Sequence, residues 1–171
     1  MKTILITGAT SGIGLAAAKK LANEKNQLII CGRRQGKLDE ISEELSKSTN
    51  VLSLCFDVSN KNEVNKLLSN LPKEFSSIDI LINNAGNAHG LDTIQDGSLD
   101  DWDNMIDSNL KGLLYVSRII MPKMIEKKGG HIINIGSLAG REVYEKGNIY
   151  CATKHAVNAI SKAMRIDLNK T

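Results

Sequence analysis

The stretch "TILITGATSGIGLAA", residues 3–17, joins a short apolar run to a glycine-rich turn and then to small helix-forming residues. The run 3–7 reads as a buried strand, and a helix starts near residue 13. Gly12, Gly14 and Ala17 satisfy the form G-x-G-x-x-G/A, with Gly8 four residues earlier. Glycines here let the backbone turn tightly and approach a pyrophosphate. The helix N-terminus then offers free N–H groups and the positive end of its dipole. A plain structural glycine turn is the competing reading. The position of the fingerprint, at the first strand-to-helix turn, favours a dinucleotide site.

Outward from this stretch, apolar runs alternate with amphipathic ones. Strand candidates are "TILIT" (3–7), "QLIICG" (27–32), "VLSLCF" (51–56), "DILIN" (79–83) and "HIINIG" (131–136). Helical patterns lie near 13–24, 36–47, 60–70, 100–127 and 149–168, with Pro122 expected to kink the long one. Strands apolar throughout and separated by helices indicate a parallel sheet covered on both faces. The expectation is a Rossmann-like, doubly wound α/β fold with strand order 3-2-1-4-5. No repeat, low-complexity tract or linker divides the chain, so residues 1–171 are expected to form a single domain.

The bulk numbers are ordinary for a globular chain. Of 171 residues, 42% are hydrophobic and 24% charged, with net charge +3. That charge is too mild and too scattered to argue for nucleic acid. Three distant cysteines (Cys31, Cys55, Cys151) and three dispersed histidines (His89, His131, His155) suggest neither a disulfide framework nor a metal site. The short apolar run near the N-terminus is too brief for a signal peptide, and no stretch reaches membrane-spanning length. A soluble, cytoplasmic protein is the expectation.

The second strand closes with "CGRR". A fold that selects NAD carries an acid about 20 residues past the glycines, where it holds the ribose 2′-hydroxyl. Arg33 stands there instead, with Arg34 beside it. Their guanidinium forks suit the 2′-phosphate of NADP, although a solvated pair at a helix start is the alternative. Asp57 in "FDV" (56–58) is suited to accept from an adenine amino group or to cap the next helix. The asparagines of "NNAG" (83–86) close the fourth strand, where they can bond loops or a ligand.

Tyr150 and Lys154 in "YCATK" (150–154) are i,i+4 neighbours on a helix. A free phenol ionises near 10, and bringing such a group to about 7 takes roughly 4 kcal/mol. A lysine charge about 6 Å away at an effective dielectric of about 20 supplies roughly 2.8 kcal/mol of this. Tyr150 is thus a candidate acid–base group. Ser137, just past the fifth strand, can donate to a developing alkoxide, or be an ordinary turn serine. Arg141 in "LAGREVYEKGN" (138–148) is the candidate partner for a substrate carboxylate, or an exposed loop arginine. "NAHGLD" (87–92) is the candidate opposite wall.

Together, "TGATSGIG", Asp57, "NNAG", Asn109 in "DSNLKG", Ser137 in "NIGS" and the Tyr150–Lys154 pair resemble the short-chain dehydrogenases/reductases. The likeness spans essentially the whole chain. "CGRRQGKL", "GREVYEKGNIYCATK" and "LPKEFSSIDILINNAG" are most similar to the NADP-dependent 3-hydroxy acid and serine or allo-threonine dehydrogenases. The resemblance implies hydride transfer between NADP(H) and the C3 hydroxyl of a small 3-hydroxy acid. It implies a catalytic set of Asn109, Ser137, Tyr150 and Lys154, with Ser137, Tyr150 and Arg141 toward substrate. Lys154 would hold the nicotinamide ribose, and the Asn109 carbonyl would link Lys154 through water to solvent. The implied cofactor set is Gly8, Thr10, Ser11, Gly12, Ile13, Gly14, Arg33, Arg34, Asp57, Val58, Asn84, Ala85 and Gly86, with Tyr150 and Lys154. A homodimer or homotetramer through the helices around Asn109 and Tyr150 is also implied. Other carbonyl or alcohol reductases, such as a 3-oxoacyl reductase, are the alternative, as is a catalytically silent nucleotide-binding fragment. Relatives continue into a sixth strand and a substrate lid. The active form is therefore expected to carry roughly 80 further residues, in keeping with ordinary domain size, and residues 1–171 alone are expected to be poorly soluble or partly unfolded and to reduce no substrate.

Overall fold

The computed structural model describes residues 1–169. Five parallel strands lie in the order β3-β2-β1-β4-β5: β1 (Lys2–Ile6), β2 (Asn26–Gly32), β3 (Asn50–Cys55), β4 (Ile80–Asn83) and β5 (His131–Asn134). This is the order expected from the sequence, and the fold is Rossmann-like.

The alternation of side chains along the strands divides the core between the two faces. Leu5 pairs in register with Ile29 and Leu81, and all three are buried against Val64, Leu68, Val116 and Ile120 of helices α3 (Lys61–Ser69) and α5 (Leu113–Glu126). Their neighbours Ile4, Ile6, Leu28 and Ile30 face the other way. They pack on Ala18 of α1 (Gly12–Leu21) and on Leu38, Ile41 and Leu45 of α2 (Gln35–Leu45). Side chains buried on both faces explain why the strands read as apolar runs without alternation.

The long helical pattern near 100–127 is interrupted. Helix α4 (Leu99–Ile106) passes into a wider π-turn (Asp107–Gly112) before α5 begins. Gly112 lies so close to Val58 that a Cβ on it would stand 2.7 Å from Val58 Cγ2. The extra residue in the turn also brings Asn109 inward, where it is 2% exposed. Such turns gather at functional sites. Helix α5 runs on through Pro122 to Glu126. Helix α6 (Asn148–Leu168) carries Tyr150 and Lys154, and packs through Val157 and Met164 against Leu113 and Met121. No helix among the described residues is long and apolar enough to cross a membrane.

Candidate active site

The carboxyl ends of the strands open into a cleft of about 610 Å³. Its lining includes Gly8, Thr10, Ser11, Gly12, Ile13, Arg33, Arg34, Asp57, Val58, Asn84, Ala85, Gly86, Tyr150 and Lys154. Residues far apart in sequence thus share one surface, as ligands require at the switch point of such sheets.

The glycine turn is held from behind. Asn84 Nδ2 donates to the carbonyls of Thr7 (2.9 Å) and Gly8 (3.0 Å). Thr7 Oγ1 accepts from the backbone N–H groups of Asn84 and Ala85, both at 3.0 Å. The second Asn of the pair therefore bonds a loop. The first, Asn83, is buried and donates to Ser117 Oγ and Asn134 Oδ1. Gly14 packs against this clasp, leaving no room for a Cβ: one would sit 2.4 Å from both Asn84 Nδ2 and the Gly8 oxygen. Ser11 precedes α1 without capping it through its side chain, so the first N–H groups of the helix are left for a ligand.

At the far end of the cleft, Arg34 Nη2 donates to Thr10 Oγ1 at 2.9 Å, and Arg33 pairs with Asp57 at 3.3 Å. Asp57 does not cap the following helix. Asn60 does, accepting from the N–H groups of Asn62 and Glu63. Asp57 instead accepts from the backbone N–H and hydroxyl of Ser59. Burial raises the Asp57 carboxyl, but the two Ser59 bonds and the Arg33 charge outweigh it and hold the group below the usual carboxylate range.

Lys154 is buried, 8% exposed, and burial pushes its amine below the ordinary lysine value. Its Nζ donates to the Ile135 carbonyl at 2.9 Å and lies 5.9 Å from the centre of the Tyr150 ring. Asn109 lies behind the cleft lining. Its Oδ1 accepts from Asn87 N–H (2.7 Å), while its Nδ2 donates to the Asn87 carbonyl (2.8 Å) and to Thr153 Oγ1 (3.2 Å). The side chain thereby ties the loop after β4 to α6. Buried Asn87 Oδ1 has no hydrogen-bond partner, leaving an acceptor beside the cleft.

Ser137 and Arg141 stand apart. Ser137 follows Gly136, which lines the cleft, but its Oγ accepts from Ala139 N–H at 3.2 Å and lines neither the cleft nor a second cavity of about 450 Å³ between Ala88, His89, Met105, Tyr144 and Tyr150. Arg141 is exposed and lines neither cavity. Thr7, Asn87 and Thr153 make the bonds that hold the segments around the cleft together; the sequence suggests Asn87 only as part of the 87–92 wall and assigns the other two no role. Thr7 reads as the end of a strand, and the other two gain their roles only through contacts with distant residues.

A family model described as short chain dehydrogenase matches residues 2–171. The chain is 44% identical over 168 residues to the NADP-dependent 3-hydroxy acid dehydrogenase of Shigella flexneri, covering 98% of this chain and 67% of that protein. It is also 44% identical over 167 residues to the NADP-dependent 3-hydroxy acid dehydrogenase of Schizosaccharomyces pombe, covering 96% and 64%. The chain thus spans about two thirds of the length of these relatives. Among solved structures, serine dehydrogenase from Escherichia coli superposes with a TM-score of 0.92 at 42% identity, covering 96% of this chain and 76% of that one. The closed form of serine dehydrogenase complexed with NADP+ superposes at 0.93 and 43%, covering 97% and 66%.

Proposed function

Because the chain belongs to the short-chain dehydrogenase family, we propose that it is an NADP(H)-dependent oxidoreductase of small 3-hydroxy acids. The relatives whose names carry that activity support the reading. So does the cleft itself. Gly12, where a Cβ would meet no protein atom within 4 Å, borders open cleft at the start of α1, and the helix N-terminus there and the Arg33–Arg34 pair in the same lining suit a pyrophosphate and a 2′-phosphate.

The observation that carries the proposal is the position of Tyr150. It lines both the cofactor cleft and a second cavity of about 450 Å³ beyond it. A group on that divide can reach a substrate hydroxyl whose carbon faces the cofactor. When bound, the nicotinamide nucleotide supplies the hydride acceptor and donor. Tyr150 takes the hydroxyl proton as the alcohol becomes a carbonyl, and returns it in reduction. Lys154, anchored on the Ile135 carbonyl, holds its ammonium beside the Tyr150 ring. Asn109 fixes the loop and helix that bear these groups. Ser137, next to the cleft-lining Gly136, completes the proposed set as a donor to the developing alkoxide, a role that requires its side chain to turn away from Ala139 N–H. The cofactor, catalytic and substrate residues belong to one domain, residues 1–171.

Exposed Leu114 and Ile125 on α5 and Ile166 on α6 support a homodimer or homotetramer through these helices. A cytoplasmic location fits the sparse, unpaired cysteines.

The test is NADP+ reduction by the native-length protein against serine, allo-threonine, 3-hydroxyisobutyrate and uncharged alcohols. Turnover is expected for the hydroxy acids and is expected to vanish in Tyr150→Phe, with NADPH binding kept within a few-fold. A preference for uncharged alcohols over every hydroxy acid, or retained turnover in the phenylalanine variant, overturns the reading.

A further inference from the structure

A 3-hydroxy acid places a carboxylate two carbons from the carbon that reacts. A cation should therefore stand within one side chain's length of Tyr150, in the cavity on the substrate side. Arg141 is not there. Among the described residues, that cavity is walled by Ala88, His89, Leu91, Met105, Tyr144 and Lys146, and by the start of α6. Lys146 is the one lysine or arginine in this lining. Its amine forms no ion pair or hydrogen bond among the described residues. Asp92 and Asp101 border the adjoining depression together with His89 and Lys146, yet neither comes within ion-pair distance of the amine.

The backbone at Lys146 gives a second, independent observation. Gly147 N–H donates to the Tyr144 carbonyl at 3.0 Å and closes a tight turn. Lys146 occupies the third position of that turn with φ +62°, in the left-handed region where glycine is relaxed and a residue with a Cβ is strained. The other lysine with positive φ, Lys128, simply ends helix α5: its N–H donates to Ile125, and Gly129 N–H donates to Met124. Lys146 ends no helix. A strained residue at the mouth of a site is a candidate for function.

We infer that Lys146 is the specificity-determining cation that receives the substrate carboxylate while Tyr150 engages the C3 hydroxyl. This inference rests on the hydroxy-acid reading above and names the residue that selects for the acid. An ammonium at an open cavity mouth attracts a carboxylate without geometric demand, which suits small acids of differing C2 substituents.

The strained turn provides a clean variant. Lys146→Gly removes the cation and relaxes the backbone, so thermal stability is expected to hold or rise. With native-length protein and saturating NADP+, kcat/KM is measured for a 3-hydroxy acid and for its methyl ester. The parent is expected to favour the acid. In Lys146→Gly the acid-to-ester ratio falls at least tenfold, chiefly through KM of the acid. Lys146→Glu lowers it further, and Lys146→Arg largely restores it. An unchanged ratio in Lys146→Gly, or equal losses for acid and ester, overturns the assignment of Lys146 alone. A parent that oxidises neither acid nor ester overturns the functional reading and this inference with it.

Discussion

Gly14→Ala tests the packing that shapes the cofactor cleft. The new methyl would lie 2.4 Å from Asn84 Nδ2 and 2.4 Å from the Gly8 oxygen, where ordinary contact begins at 3.4 Å. Two groups must therefore each give way by about 1 Å. Neither moves freely. The Gly8 oxygen is backbone in a turn with φ +65°. The Asn84 amide is fixed by its two carbonyl bonds, and its backbone N–H by Thr7 Oγ1. Breaking the two amide bonds costs about 1 kcal/mol each. Overpacking adds about 1–3 kcal/mol. The expected loss is about 3–5 kcal/mol out of a margin of about 5–15 kcal/mol. Gly36, in the first turn of α2, is the control. A Cβ there meets nothing within 4 Å, so Gly36→Ala should lose no stability and gain up to about 1 kcal/mol. Urea unfolding monitored by circular dichroism supplies the comparison, with NADPH titration run in parallel. Gly14→Ala within about 1 kcal/mol of the parent, at unchanged NADPH affinity, would refute the reasoning.

Arg33→Asp removes the cation paired with Asp57 and places a carboxylate where the 2′-phosphate would bind. NADPH binding should weaken at least tenfold, about 1.4 kcal/mol, and NADH binding much less; equal losses in a fluorescence titration would deny Arg33 that role. Asp79 accepts from Thr3 N–H at 2.8 Å and pairs with Lys127 at 2.6 Å. Burial raises its carboxyl, but those two bonds and the Lys127 charge leave it below the ordinary value. A depressed folded pKa contributes stability above the unfolded value and loses it as pH falls through the folded one. Asp79→Asn should therefore cost no more than about 1 kcal/mol at pH 7, since the pair is partly exposed. The cost should shrink as pH drops below about 4. A pH-independent cost in thermal melts would argue against this. Light scattering at micromolar concentration should give a dimer or larger; a strictly monomeric mass would count against the helix-face association.

The strands, their order and the cofactor end were legible because they rest on local rules. Apolar runs of strand length between helical patterns imply a parallel sheet, and a glycine fingerprint after the first strand has one natural place in it. That Tyr150 and Lys154 share one helix was legible for the same reason, since i,i+4 spacing is a local fact. What only the tertiary structure decided involves residues brought together across the chain. Asn84 bonds a carbonyl 76 residues away, and Asn109 bonds Asn87 and Thr153, 22 and 44 residues off. Nothing local distinguishes such an asparagine from an exposed one. Whether Asp57 or Asn60 caps α3 depends on where the chain turns after β3, and Asn60 proves to be the residue whose side chain reaches the free N–H groups. The same holds for the substrate side. In the sequence Arg141 and Lys146 are two cations of one loop. The turn from Tyr144 to Gly147 carries Lys146 to the cavity beside Tyr150 and leaves Arg141 outside it, because the path of a loop is fixed by what it packs against.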